Sequence, residues 1–179
     1  MPNMMMLAIP DDPELLAAIA MVAIAHGHHE LILKRTLKTL NDWPLADADA
    51  GTKFWSVSRV RDCIEEDATR RLGGNSPEVV QIVDILARSE ALSNRRNDLM
   101  HGIWGRELDG GDRHLGDEGW TLPTASALRE LAAQLSTLTN ELNAARLDTW
   151  LAEALRRSPN AARTARAVLQ APRPRVRRN

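Results

Sequence analysis

From Leu128 to Ala145 the chain sets apolar residues at Leu128, Leu131, Leu135, Leu138, Leu142 and Ala145, in alternating steps of three and four. Steps averaging about 3.5 hold all six on one side of an α-helix, whereas a strand would require a step of two. A seam this regular needs other helices to cover it, which commits the chain to helix-on-helix packing. The spacing predicts one helix over 124–157.

Three more helices are expected upstream. Asp12 reads as an N-cap with Pro13 in the first helical position, followed by apolar Leu15, Ile19, Val22, Ala23, Leu31, Leu33, Leu37 and Leu40 until Trp43-Pro44 stops the pattern. Gly27 is a weak spot within it. The small and acidic residues 45–53 read as a loop. A second stripe, Val57, Val60, Ile64, Ala68 and Leu72, closes at Gly73-Gly74. Ser76-Pro77 opens a third helix over 78–101, apolar at first and polar toward its end. Residues 103–123, with Asp109-Gly110-Gly111, Gly116 and Gly119, form a long loop or small hairpin beside that end. The expected fold is therefore all-α, an up-down four-helix bundle with an insertion after the third helix. Trp55 and Trp150 are expected to anchor in the core.

Charge divides the chain differently from hydropathy. Residues 1–155 carry 15 Lys and Arg against 24 Asp and Glu, while residues 156–179 carry eight arginines and no acid. The reading is one helical domain, 1–155, and a basic tail, 156–179. Such a tail can hold nucleic acid through phosphate contacts, or fold back on its own acidic body. Cys63 is the single cysteine, which excludes an intrachain disulfide and suits a reducing cytoplasm. The run Leu15–Ala25 is too short to span a bilayer and has no basic flank, so no membrane association is expected. His26, His29 and Glu30 could offer metal ligands, but no matching pair stands on another helix, and neither metal nor cofactor is assigned.

Chemistry concentrates in Arg96-Asn97-Asp98-Leu99-Met100-His101, followed by Gly102. Arg96 supplies a permanent planar charge shaped for phosphate oxygens, and His101 is the side chain best suited to proton transfer near neutral pH. Residues five apart lie about 140° apart around a helix, so Arg96 and His101 do not point the same way, whereas Asn97 and His101 share a face.

Asn94 to Trp104 resembles the signature of the HEPN superfamily (higher eukaryotes and prokaryotes nucleotide-binding): an arginine, four to six residues of which the first is polar, then a histidine. The strict match covers about a dozen residues. The resemblance implies a metal-independent endoribonuclease, with Arg96, Asn97 and His101 as catalytic residues in a site formed across a homodimer. Such a protein would act as a toxin or phage-defence effector, with RNA as substrate and an antitoxin or regulatory protein as partner. Arg95, Arg173, Arg175, Arg177 and Arg178 would then contact RNA. Some superfamily toxins carry a tyrosine two residues after the histidine, which a partner nucleotidyltransferase modifies; Ile103 stands there, and the chain has no tyrosine. The competing reading is a non-catalytic helical module that binds nucleotide, RNA or a protein.

Overall fold

The computed structural model describes residues 5–107, 111–116, 119–147 and 149–157. Six helices and a small antiparallel sheet occur among them: β1 (Met5–Leu7), α1 (Pro13–Asn41), α2 (Leu45–Thr52), α3 (Val57–Leu72), α4 (Pro77–His101), β2 (Ile103–Glu107), β3 (Asp112–Gly116), β4 (Gly119–Thr121), α5 (Ala125–Leu147) and α6 (Trp150–Arg157). The chain is mostly helical, broadly as the all-α reading expects, with a small sheet built from the N-terminal strand and the insertion after α4.

Helix starts follow local chemistry. Asp12 Oδ1 accepts from the Glu14 and Leu15 amides at 2.8 and 3.3 Å, Ser56 caps α3 through the Arg59 amide, and Thr124 caps α5 through Ala127. Gly73, at φ 87°, ends α3 in a conformation that favours glycine, and its amide reaches Thr69 O. The first helix runs through Gly27 without a break, as its stripe predicts. Two expectations about boundaries are corrected. Residues 45–52 are helix rather than loop, since burial of Ala48 and Thr52 and an Arg35–Asp49 ion pair of 2.6 Å favour that conformation. The predicted last helix is two helices, α5 and α6, with Thr149 accepting from the Glu153 amide as the second begins.

The chain divides into two compact units. One holds the described residues up to Ile32 with Asp84–Leu142; the other holds Leu33–Val83 with the described residues from Asn143 on. In the first, Leu15, Ala18, Val22 and Ala25 of α1 pack with Leu99 of α4 and with Leu128, Leu131, Ala132 and Leu135 of α5. Every residue of the predicted seam is buried. His29, fully buried, threads a polar layer through this core, with Nδ1 3.1 Å from Thr139 Oγ1 and Nε2 2.7 Å from Ser89 Oγ. The Thr139 hydroxyl donates to Leu135 O at 2.6 Å. Nδ1–H is therefore the donor to Thr139, and Nε2 accepts from Ser89.

In the second unit Leu37, Leu40, Val60, Ile64, Ile82 and Leu151 are buried, and Arg71 donates to Leu40 O. Desolvation lowers the pKa of Arg71, a cost that its hydrogen bond to Leu40 O offsets. Trp55 and Trp150 are half-buried rather than core anchors, and Arg59 stacks over the Trp55 ring at 4.2 Å. Among the described residues α1 alone is long and apolar enough to cross a bilayer, a test that core helices of soluble proteins also pass.

The sheet runs β1-β2-β3-β4, all neighbours antiparallel. Trp104 pairs with His114 across β2 and β3, and Ile103 with Leu115. This hairpin, in the insertion expected after the third predicted helix, directly follows the motif.

Candidate functional site

The last two turns of α4 carry Asn94, Asn97, Asp98 and His101 at steps of three, one and three, so their side chains share one side of the helix. They wall an open cleft of about 540 Å³, closed on its far side by Leu115 and Gly116 of β3. Asn97 and His101 are exposed, Asp98 is half-buried, and the Gly102 amide closes the final turn on Asp98 O at 2.8 Å.

Two glycines bring the hairpin against the helix end. A Cβ on Gly102 would lie 2.2 Å from His114 Nε2 and 2.6 Å from Leu115 O, and one on Gly116 would lie 2.4 Å from an Asp98 carboxylate oxygen. At Gly102, where one obstacle is backbone, only a residue without a side chain permits the approach; at Gly116 a side chain would require the Asp98 carboxylate to turn away. Trp104 secures the junction: its indole N–H donates 3.2 Å to Leu99 O, one of the carbonyls that a helix end leaves without an intrahelical partner. Its ring packs on the apolar core of this unit and lies 4.6 Å from the buried His114 ring. Farther out, Arg106 donates to Asp112 at 2.8 Å and to Asp11 at 2.6 Å, tying the segment between β1 and α1 to the hairpin. The Arg106 guanidinium holds the Asp112 carboxyl below the usual carboxylate range, and the two carboxylates raise the pKa of Arg106.

The expected site residues separate in space. Asn97 and His101 line the cleft together. Arg96 is outside its lining, as the helical angle requires, but Nη1 donates to Asn97 Oδ1 at 3.1 Å. Arg96 Nε is buried without a hydrogen-bond partner among the described residues. Arg95 is directed elsewhere, bonding Gln134 of α5 at 3.0 Å. Arg173, Arg175, Arg177 and Arg178 lie outside the described residues. His29 is committed to two hydroxyls, and no cluster of three His, Cys, Asp or Glu able to hold a metal occurs among the described residues.

Sequence reasoning passed over Asn94, Asp98, Leu115 and Gly116. Asn94 and Asp98 were detectable, since each stands a helical step of seven or three before His101. Leu115 and Gly116 carry no local signal, because strand pairing alone brings them to the helix. Chemically, the cleft presents an imidazole, two amides and a carboxylate to solvent beside a guanidinium, a set suited to hydrogen bonding and proton transfer on a polar substrate. No protein-family model, curated protein or solved structure matches the chain.

Proposed function

We propose that this chain is a metal-independent endoribonuclease of HEPN type, its helices arranged as that superfamily's four-helix bundle and its site completed across a homodimer. The carrying observation is the placement of Asn97 and His101 in one cleft, with Arg96 hydrogen-bonded to Asn97 at its edge. In this reaction the ribose 2′-oxygen attacks the adjacent phosphorus and the bond to the 5′-oxygen breaks. The products are a 2′,3′-cyclic phosphate and a 5′-hydroxyl. A proton leaves the 2′-hydroxyl and another reaches the departing 5′-oxygen. His101 performs one transfer, and its counterpart in a second copy supplies the other. Arg96 offsets the charge that builds on the phosphoryl oxygens, and Asn97 orients its guanidinium. The proposed role is that of a toxin or defence effector, restrained by a protein partner.

The test is cleavage of labelled total RNA in EDTA, with analysis of the product ends. Cleavage that survives chelation, yields cyclic phosphate and falls by about 10²–10⁴ in His101→Ala supports the reading. Arg96→Ala should lose a comparable factor. A specific observation favours a second reading: within one chain Arg96 stands outside the cleft that His101 lines. A binding module would need no convergence of the two. RNA retention with no cleavage, unaffected by either substitution, selects that reading.

A further inference from the structure

The charge-free stretch Leu15–His29 of α1 has two apolar sides, and only one is used inside the fold. Leu15, Ala18, Val22 and Ala25 are buried in the core, while Met21, Ile24 and Leu31 remain 48%, 60% and 45% exposed. These three share a stripe with Ala17, Ala20 and Gly27, about half a turn round the helix from the buried set. A Cβ on Gly27 would meet nothing within 4 Å, so the stripe has an open notch at its centre. Uncharged apolar strips of this kind on a folded surface mark contact sites.

We propose that this stripe is a self-association surface, on which α1 of a second copy packs antiparallel about a two-fold axis at Ile24. A dyad there brings residues whose numbers sum to 48 to the same level along the axis. Ala17 is then level with Leu31, Ala20 with His28, Met21 with Gly27, and Ile24 with itself. In every layer but the axial one a small residue meets a large one, which is how facing helices fill the space between them. The same patch serves both copies, as a two-fold interface requires, and no like charges oppose each other.

A lipid surface fits less well. Burial of the opposite side of α1, with His26 and His29 in it, bars the helix from crossing a bilayer while this unit stays folded. Asp11, Asp12 and Glu14 at the near end of the stripe would repel anionic headgroups. The stripe is roughly 21 Å long at 1.5 Å per residue and one helix wide, well short of a standard interface, so the dimer should have a micromolar Kd. The proposal is independent of the ribonuclease reading, because the stripe lies on the side of α1 turned away from the α4 residues that its core packs against.

Sedimentation of the full chain between about 1 and 200 µM should show a reversible, concentration-dependent association step. Gly27→Met fills the notch without touching anything in the single chain and improves helix propensity, so it should leave the chain folded and abolish the association made through the stripe. In a Cys63→Ser background with a short bismaleimide, Ile24→Cys should crosslink to its own copy. Leu31→Cys should not, its two thiols being about 21 Å apart, but should crosslink when mixed with Ala17→Cys. A monomer at 200 µM overturns the proposal, as does vesicle binding through the stripe without dimerisation. Association unchanged in strength by both Gly27→Met and Ile24→Glu, or the absence of the Ile24→Cys crosslink, also overturns it.

Discussion

Gly102→Ala tests whether the hairpin is seated on the helix end as tightly as the structure indicates. The new methyl carbon would sit 2.2 Å from His114 Nε2 and 2.6 Å from both His114 Cε1 and Leu115 O. Non-bonded contacts settle near 3.5 Å, so the hairpin has to retreat by about 1 Å. Rotating a side chain cannot relieve this, because one obstacle is a backbone oxygen and the His114 ring is buried against Trp104. Overpacking of this kind costs about 1–3 kcal/mol. At about 2–4 °C per kcal/mol for a chain of this size, Tm should fall by roughly 2–12 °C. Because Leu115 and Gly116 wall the cleft, a 1 Å retreat should also lower RNA cleavage by about 10²-fold if the proposed ribonuclease reading holds. Gly116→Ala is the milder comparison, since it meets only the end of the Asp98 side chain, which can turn away. Gly51→Ala, in open space within α2, should stabilise by up to about 1 kcal/mol. Thermal melts followed by circular dichroism read all three. A Gly102→Ala protein melting within 1 °C of wild type would refute the seating argument.

Other consequences can be measured alongside. Ser89→Ala takes the hydroxyl from His29 Nε2 in a fully buried site and should cost about 1–3 kcal/mol in urea unfolding, whereas a neutral result would mean that the polar layer is slack. Leu135→Ala, at a fully buried seam position, should cost about 2–5 kcal/mol; a loss below 1 kcal/mol would place that residue outside the core. The Asp112 carboxyl titrates lower in the folded chain than in the unfolded one, so its contribution is complete above the ordinary value of 3.8 and is lost as pH falls through the lower folded value. The stability difference between wild type and Arg106→Ala should thus stay level from pH 7 to about 4 and shrink only below that. A difference already gone at pH 6 would contradict the Arg106–Asp112 pairing.

The amino-acid sequence determined the parts of this protein whose physics is local. The Leu128–Ala145 seam, the Asp12 cap with Pro13, and the Gly73 stop each encode an element through side chains within a few residues of one another. The motif was legible for the same reason: Asn97 and His101 fall one helical turn apart wherever the helix is placed, and Arg96 falls off their face. Residues 45–52 escaped because Asp47, Asp49 and Gly51 offset the helix preference of Ala46, Ala48 and Ala50, and burial of Ala48 and Thr52 decided the matter. What only tertiary structure decided is the other half of the cleft. Gly102 and Gly116 look like ordinary turn residues along the chain, and become close-approach sites only once strand pairing lays β3 against α4. The two apolar sides of α1 are alike in composition, and packing alone chose which was buried and which was left to face outward. Sequence periodicity reports that a side is apolar; what covers it depends on residues up to about 120 positions away, as in the packing of Leu15 with Leu135 in one core.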